Sequence, residues 1–469
     1  MRIRFASQSY RSQSLPVSAQ RCRNMYAAIQ PPDAKTDVAV FGCPGVVTWV
    51  TAGSGPIRGF SMLAGVLYAQ SGGTLYRIND DETVTPVGST VSGTGPVGMD
   101  ENGTQLAIVN GVTGYIYSTA AGLQVISDGQ FHPANTVSFI DSVFAFDRTG
   151  TNEFFISDSL DGTAYSDLFA SAETKPDDVV AVANYLQTLL IMGERTGELW
   201  SNVGAANFPF QRVPGGTVTK GIVGPRALRV DDKFAYLVGD DKVAHRLTGN
   251  IAVPIGTDAI SAAWQRYATI SDASVFSFSF NGHRFIVFNF PTEAVTWVFD
   301  VNTGLWHERE SWDENDRSLG RWRINCAIEA YGKVLVGDAF SGKIGYLDSK
   351  VYTEFGNTIR GELIAPPIHG DGKRVFMPAL ELDIESGVGL SSGQGSAPVV
   401  TLGISDDGGR TFDNPELFGE MGKTGEYRHR LRWDRLGSFE DSRILRVTIT
   451  DPVPRTIIAA RCPGLTVGT

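Results

Sequence analysis

The stretch GVLYAQSGGTLYRI (residues 65–78) carries the pattern on which the fold prediction rests. A short apolar strand ending at Ala69 is followed by a turn at Gly72-Gly73, and the next strand carries the aromatic ring of Tyr76. Two short apolar runs joined by a glycine turn are typical of a β-hairpin. Residues 65–78 are therefore predicted to form one hairpin of an antiparallel sheet.

The same pattern recurs six more times between residues 55 and 350. The further copies are QLAIVNGVTGYIYS (105–118), SVFAFDRTGTNEFFIS (142–157), LLIMGERTGELWS (189–201), FAYLVGDDKVAHRL (234–247), RFIVFNFPTEAVTWVFD (284–300) and KVLVGDAFSGKIGYLD (333–348). Their starts lie roughly 37 to 50 residues apart, the length of a four-stranded propeller blade. The first apolar run of each copy is expected to be the inner strand of its blade. The repeats thus predict an all-β protein with a β-propeller of about seven blades.

The composition agrees with this architecture. The chain has 469 residues, of which 53 are Gly and only 19% are charged, as suits many short strands joined by tight turns. Helix is expected to be scarce, with one turn at most in 157–180 and another in 256–270.

The two ends of the chain do not follow the repeat. Residues 1–54 consist of extended segments broken by prolines, and residues 351–469 contain further apolar runs separated by Gly- and Ser-rich turns. We expect strands at 374–385, 398–405, 427–434 and 443–450. The domain prediction is an N-terminal extended segment (1–54), a propeller (55–350) and a C-terminal β-rich domain (351–469), the two ends pairing into a platform beside the propeller.

Charge is unevenly distributed along the chain. The net charge is −11, but residues 1–50 carry +4 while residues 51–350 carry −12. An acidic body repels nucleic acid, so specific DNA binding by the central region is not expected. The chain has no apolar run of about 18 residues, so no membrane-spanning segment is expected. It has no apolar stretch near its start, so no signal peptide is expected.

Cysteine and histidine spacing predicts neither a cofactor nor a metal site. The four cysteines are far apart without a C-x-x-C pair, and the six histidines never fall at H-x-x-x-H or H-x-H spacing. The sequence GTGPVG (93–98) resembles a phosphate-binding loop, but no helical pattern follows it, so it is interpreted as a turn. No residue is predicted to be catalytic.

The most specific short motif is SDDGGRTF, which matches the Asp-box pattern. Its defining residues are Ser405, Asp407, Gly409, Thr411 and Phe412. In this device the Asp and hydroxyl side chains bind turn amides and the aromatic ring packs beneath. Asp-boxes recur in sialidases, but a sialidase has several boxes and a set of catalytic residues on separate blades. A propeller that binds or degrades glycans remains the alternative to a structural protein.

The basic N-terminal segment is the best candidate for a protein interface. Arginines interleaved with aromatic side chains are typical of interfaces, although an ordinary edge strand would also explain them. The predicted interface residues are Arg4, Tyr10, Arg11, Arg21, Arg23, Asn24 and Tyr26.

Both ends of the chain resemble one protein family. RCRNMYAAIQPPDAKTDVAVFGCPGVVTW (21–49), GPIRGFSMLAGVLYAQSGGTLYRI (55–78), SDDGGRTFDNP (405–415) and RWDRLGSFEDSRILRVTITDP (432–452) are similar to segments of the packaged-DNA stabilization proteins of short-tailed bacteriophages, also called tail hub or nozzle proteins. The middle blades match only in pattern.

The resemblance implies a structural protein of the virion that is assembled in the host cytoplasm. Six copies would form a ring below the portal and adaptor proteins, extend the DNA channel and retain packaged DNA until ejection. The implied partners are the chain itself, the portal-adaptor proteins, tail fibre, tailspike or needle proteins, and DNA that slides through without sequence-specific contacts. A cellular propeller scaffold, the third possibility, would be a monomer.

Overall fold

The structure, a computed structural model, describes residues 2–3, 5, 7–205, 208–313, 317–413 and 416–468. These residues form 47 strands and one α-helix, so the all-β prediction is confirmed. The first six strands are β1 (Arg2–Ile3), β2 (Tyr10–Arg11), β3 (Ala19–Arg23), β4 (Met25–Ile29), β5 (Val38–Gly42) and β6 (Gly45–Thr51).

Seven four-stranded antiparallel sheets follow one another along the described chain, and we name them blades 1 to 7. Blade 1 contains β7 (Ile57–Leu63), β8 (Val66–Ser71), β9 (Thr74–Ile78) and β10 (Val84–Gly88). Blade 2 contains β11 (Gly98–Glu101), β12 (Gln105–Val109), β13 (Gly114–Ser118) and β14 (Gly122–Val125). Blade 3 contains β15 (Val137–Ile140), β16 (Val143–Asp147), β17 (Glu153–Ile156) and β18 (Phe169–Ser171). Blade 4 contains β19 (Val179–Tyr185), β20 (Thr188–Gly193), β21 (Gly197–Asn202) and β22 (Phe210–Val218).

The last three blades continue this order. Blade 5 contains β23 (Leu228–Asp231), β24 (Phe234–Val238), β25 (Ala244–Thr248) and β26 (Ile251–Pro254), and helix α1 (Asp258–Gln265) follows it. Blade 6 contains β27 (Ser274–Phe280), β28 (His283–Phe290), β29 (Val295–Asp300) and β30 (Trp306–Asp313), and β31 (Ser318–Arg321) pairs with β30. Blade 7 contains β32 (Ile324–Ala330), β33 (Lys333–Asp338) and β34 (Lys343–Asp348), with β6 as its fourth strand.

The first strand of each blade contacts the first strand of the next, and β32 of blade 7 contacts β7 of blade 1, so the blades form a closed ring. The outer strand of blade 7 comes from the N-terminal segment, where Val47 of β6 pairs with Tyr346 of β34 in antiparallel register. Because this strand is distant in sequence from the rest of its blade, the ring is closed by hydrogen bonds between the two ends of the propeller.

The predicted position of the inner strands is wrong. The first apolar run of each repeat forms the second strand of its blade, as β8 does in blade 1, and the inner strand lies just before it. The second strand gives the stronger apolar signal because sheets cover both of its faces, and Leu67 and Ala69 are fully buried. The inner strands border the axis of the ring and carry polar side chains such as Arg58 and Asp100.

Apolar side chains fill the space between neighbouring blades. Blades 7 and 1, for example, pack Leu67, Ala69 and Ile78 against Leu335 and Ile344, all of them fully buried. Similar clusters join blades 1 and 2, 2 and 3, and 3 and 4, and a larger one extends over blades 4 to 6. This packing supplies the hydrophobic stabilisation of the ring.

The remaining strands follow blade 7 along the chain, and all but the first two, which extend the sheet of blade 7 beside β6, form the β-sandwich that is the predicted platform. They are β35 (Thr353–Glu354), β36 (Asn357–Thr358), β37 (Gly361–Ile364), β38 (Ile368–His369), β39 (Val375–Phe376), β40 (Ala379–Ile384), β41 (Val399–Ser405), β42 (Leu417–Glu420), β43 (Leu431–Asp434), β44 (Ser438–Phe439), β45 (Ser442–Ile449), β46 (Ile457–Arg461) and β47 (Thr466–Val467). One sheet has the order β4-β5-β46-β40-β43, and the other continues from blade 6 as β30-β3-β37-β45-β41-β42. Both chain ends therefore build the sandwich, as predicted.

Helix is as scarce as the composition indicates. The eight-residue α1 lies within 256–270, where a helical turn was expected, and Thr257 caps it by accepting a hydrogen bond from the amide of Ile260. The segment 157–180 instead contains turns and the short strand β18. Its Ser and Asp side chains bind nearby backbone amides rather than starting a helix, since Ser157 accepts from the amide of Phe144 and Asp161 from that of Thr163.

Candidate functional site

Strand β3 joins the propeller to the sandwich. Its Arg23 pairs in parallel register with Glu308 of β30, the outer strand of blade 6, while Arg21 pairs in antiparallel register with Ile364 of β37 in the sandwich. Hydrogen bonds therefore run without interruption from blade 6 into the sandwich, and the N-terminal segment is the strand that connects them.

A network of three arginines and three glutamates surrounds β3, and we call it the junction network. It consists of Arg21, Arg23, Glu308, Glu310, Arg360 and Glu362. Arg23 lies 3.6 Å from Glu308, 3.5 Å from Glu310 and 3.1 Å from Glu362. Because the glutamates come from both the propeller and the sandwich, one side chain holds the two parts together.

The network is largely removed from water. The side chains of Glu308 and Glu362 are 8% and 4% exposed. Burial raises the pKa of Glu308 and of Glu310, and the charge of Arg23 opposes the rise at both carboxyls. Each carboxylate thus depends on the arginines for its charge, and removing one arginine would leave buried negative charge without compensation.

Asn24 fixes the turn that follows β3. Its φ of 51° lies in the left-handed region, which asparagine tolerates better than most residues. The side-chain amide donates to the carbonyls of Glu310 and Arg360, both at 3.0 Å, and the side-chain oxygen accepts from the amide of Glu310 at 3.1 Å. These bonds link blade 6 to the start of the sandwich.

The predicted interface residues divide into two groups. Arg21, Arg23 and Asn24 contact other parts of their own chain, as does Tyr26, whose ring lies among Phe41, His283, Phe285 and His307. Tyr10 lies half-buried in the edge strand β2, and the side chain of Arg11 is exposed. Arg4 lies outside the described residues. A role in contacting another protein stays a prediction for the whole set.

The sequence analysis missed the acidic half of the junction network. Glu308 and Glu310 lie in the segment HERE of β30, which the sequence shows only as part of an aromatic-rich strand-turn-strand. Their alternation with His307 and Arg309 within a buried strand is the signal that points to a polar network. Their partners Arg21 and Arg23 are more than 280 residues away, so this pairing is not readable from the sequence.

The Asp-box forms the turn after β41. Asp407 accepts hydrogen bonds from the amides of Arg410 at 2.9 Å and Thr411 at 3.0 Å, and from the Thr411 hydroxyl at 2.6 Å. Ser405 Oγ donates to Asp407 at 2.7 Å and accepts from the amide of Gly409 at 2.9 Å, while Phe412 packs against Arg446. The hydrogen bonds from Thr411 hold the pKa of Asp407 well below its usual range. All of these contacts stabilise a turn of the sandwich.

The axis of the propeller contains a cavity of about 940 Å³. All seven inner strands contribute to its wall, and three arginines, Arg58, Arg226 and Arg229, line it together with Asp100 and Asp272. It is larger than the two clefts of about 370 and 300 Å³ that flank the junction network.

Two histidines form hydrogen bonds with aspartates in the blades. His283 Nδ1 lies 2.7 Å from Asp300, which also accepts from the Thr303 hydroxyl, and His245 Nε2 lies 3.0 Å from Asp241. Among the described residues, no group of three His, Cys, Asp or Glu side chains is placed to hold a metal ion. No helix in this part of the chain is long and apolar enough to cross a membrane.

Two family models match the chain, the first over the propeller and the second over the sandwich. The model described as Bacteriophage P22 Gp10, beta-propeller, matches residues 1–352, and the one described as Bacteriophage P22 Gp10, beta-sandwich, matches residues 361–463. The chain is also 23% identical over 404 residues to the tail hub protein gp10 of Salmonella phage P22, covering 79% of each sequence. The predicted family and the propeller with a β-rich platform are confirmed.

Two solved structures resemble the chain more distantly. The WD40 domain of Neurospora crassa Pan2 is 10% identical, with a TM-score of 0.42 over 66% of this chain and 95% of that domain. PorZ of Porphyromonas gingivalis, described as a bacterial surface component of the type-IX secretion system, is 12% identical, with a TM-score of 0.37 over 76% of this chain and 44% of that protein.

Proposed function

Because this chain belongs to the phage P22 Gp10 family, we propose that it is a structural protein of the tail hub in the virion of a short-tailed phage. The observation that carries this proposal is the match of both family models, in order, over the propeller and the sandwich. The relative in Salmonella phage P22 is named a tail hub protein, and its similarity extends across both parts.

We further propose that six copies form a ring that extends the DNA channel and helps to retain DNA until ejection. The charge distribution supports this role, because residues 51–350 carry a net charge of −12. A wall of the same sign as DNA lets the duplex slide without adhering, whereas clustered arginines and lysines would hold it.

The proposed division of labour gives assembly contacts to the two ends, 1–54 and 351–469, and the channel wall to the propeller, 55–350. Strand β6 is the exception, since it completes blade 7. In this proposal Tyr10 and Arg11 face the portal-adaptor proteins or the neighbouring subunit. Arg21 and Arg23 then act indirectly, because their ion pairs hold β3, and with it the paired edge strand β2, in position.

The experiment measures the mass of the purified full-length protein, alone and mixed with the portal-adaptor proteins of its own phage. The proposal predicts a complex that contains six copies, and Arg11→Glu should weaken it, because arginines at protein interfaces often contribute about 1–3 kcal/mol. Arg195→Glu, at an exposed turn of blade 4, is the matched control and should assemble normally.

A protein that stays monomeric in the presence of its virion neighbours would overturn the proposal. Glycan cleavage by the purified protein, lost in Asp407→Asn, would instead favour the sialidase-like alternative. Normal assembly of Arg11→Glu together with failure of Arg195→Glu would assign the assembly contacts to the propeller.

A further inference from the structure

The cavity on the propeller axis concentrates positive charge in a protein that is acidic overall. Arg226 precedes β23 and Arg229 lies within it, and both line the cavity. Within the described residues neither arginine has an ion-pair partner, and each has one side-chain hydrogen bond. Arg226 Nη2 donates to the carbonyl of Asn135 at 2.6 Å, and Arg229 Nε donates to Ser277 Oγ at 3.4 Å. Most of their donor capacity is therefore unused.

The surroundings of Arg226 compensate its charge only in part. Asp147 acts on it electrostatically, but this carboxylate already accepts hydrogen bonds from Asn135 and Thr136. Burial lowers the pKa of Arg226 to about 10, and the nearby charge of Arg58 acts in the same direction. Arg226 is half-buried and Arg229 is exposed in the wall of the cavity, so both guanidinium groups are accessible to a ligand.

Arg58 lines the same cavity and is held by several backbone carbonyls. Its guanidinium donates to the carbonyls of Gly72, Ser92 and Gly95, at 2.9, 3.0 and 2.5 Å. These bonds hold the loop GTGPVG, of which Gly95 to Gly98 line the cavity. Strand β11 and not a helix follows this loop, so it does not form a phosphate loop of the strand-loop-helix kind.

An unsatisfied acceptor lies at the same end of the cavity. Asp272 Oδ2 accepts from the amide of Thr292 at 2.8 Å, whereas its Oδ1 is buried without a hydrogen-bond partner among the described residues. The carbonyl of Arg226 accepts from the amide of Val275 at 2.9 Å, which places Arg226 beside the segment that carries Asp272. The cavity thus offers both cationic donors and a free carboxylate acceptor.

From this arrangement we propose that the propeller cavity binds a small organic anion that carries phosphate or carboxylate groups together with hydroxyl groups. Arg226 and Arg229 bind the anionic groups, since a guanidinium forms paired hydrogen bonds with such oxygens. Asp272 accepts a hydrogen bond from a ligand hydroxyl. A volume of about 940 Å³ suits a small molecule rather than a simple ion.

Isothermal titration of the full-length protein tests the proposal with ribose 5-phosphate, citrate, inorganic phosphate and neutral ribose as probes. We expect ribose 5-phosphate or citrate to bind with one site per chain, more tightly than inorganic phosphate, and ribose not to bind. The stronger of the two organic anions shows whether the site prefers phosphate or carboxylate. Arg226→Gln should weaken binding at least about tenfold, the equivalent of 1.4 kcal/mol.

The melting temperature without ligand separates a binding role from a structural one. Arg226→Gln should melt at about the same temperature as the unmodified protein, because the half-buried Arg226 forms no ion pair within the described residues. Arg195→Gln, outside the cavity, is the matched control and should retain full binding. Arg229→Gln gives a second, independent loss of affinity.

Two results would overturn the proposal. One is the absence of binding by every probe up to about 10 mM, beyond the weak end of specific recognition. The other is equal binding by Arg226→Gln, Arg229→Gln and the control. A large fall in the melting temperature of Arg226→Gln without any change in affinity would identify that arginine as structural and contradict the site. None of these outcomes depends on whether the protein assembles into a ring.

Discussion

The blades and the junction network hold the molecule together by opposite means. Between blades 7 and 1, contact is made by fully buried apolar side chains such as Leu67 and Leu335. Between the propeller and the sandwich, β3 passes through three arginines and three glutamates that are mostly buried. Apolar packing tolerates small changes in geometry, whereas ion pairs with matched partners define one position. The ring is therefore stabilised by buried apolar surface, and the junction is stabilised by ion pairs between arginines and glutamates.

Placing a charged side chain between two blades should cause the largest loss of folding stability. Leu67→Asp is expected to lower the free energy of unfolding by roughly 4 kcal/mol or more, because the carboxylate has no partner in an apolar contact. Thr85→Asp, on the exposed outer strand of the same blade, is the control and should change little. Denaturant unfolding followed by tryptophan fluorescence measures both, and an unchanged midpoint for Leu67→Asp would show that this blade contact is not as described.

Removing one arginine from the junction network should cause the second largest loss of stability. Arg23→Met is expected to cost about 3 kcal/mol, since it leaves the buried Glu308 with Arg21 alone and the buried Glu362 with Arg360 alone. Lys35→Met breaks the pair between Lys35 and Asp383, in which the lysine is 61% exposed, and should cost less than about 1 kcal/mol. Equal effects of the two substitutions in chemical denaturation would refute the contrast between a buried and a surface ion pair.

The turn at Asn24 separates backbone strain from hydrogen bonding at the junction. Asn24→Ala loses three hydrogen bonds and places alanine at positive φ, for a cost of about 2 kcal/mol. Asn24→Gly loses the same bonds without the strain and should be less damaging by about 1 kcal/mol. If alanine proved the better tolerated of the two, the left-handed conformation would be wrong.

The ionisation of Asp100 should have the smallest effect on folding stability, and this effect should depend on pH. Burial raises its pKa to about 6, although the amides of Phe139 and Glu101 donate to it. A raised pKa in the folded state means that protonation favours folding, so stability increases as pH falls from 7 to 5 and is lost as pH rises through 6. The gain should be about 1 kcal/mol. Asp100→Asn should abolish that part of the pH dependence, and an unchanged profile would contradict the raised pKa.

The contrast also explains what could be predicted from sequence. The blades repeat, and each repeat shows an apolar strand, a glycine turn and an aromatic strand, so the propeller and its approximate number of blades were readable. The inner strands were misplaced because the apolar signal marks the most covered strand, β8 in blade 1, rather than the one nearest the axis.

The junction and the cavity were much less readable. Arg21 and Arg23 were noticed as an arginine cluster, but an arginine at an interface with another protein has the same local sequence as one that pairs within the chain. Glu308 and Glu362 become their partners only through the pairing of β3 with β30 and β37. Arg226 and Asp272 are isolated in sequence and line the same cavity only because the blades pack around one axis. The Asp-box was readable because all of its bonds are local.

The central claim is that β3 and the junction network join propeller and sandwich into one cooperative unit. Differential scanning calorimetry of the full-length protein and of Arg23→Met tests it most directly. We predict a single transition for the unmodified protein, with the calorimetric enthalpy equal to the van't Hoff enthalpy, and two separated transitions for Arg23→Met. Two transitions already present in the unmodified protein, with midpoints that Arg23→Met leaves in place, would contradict the account.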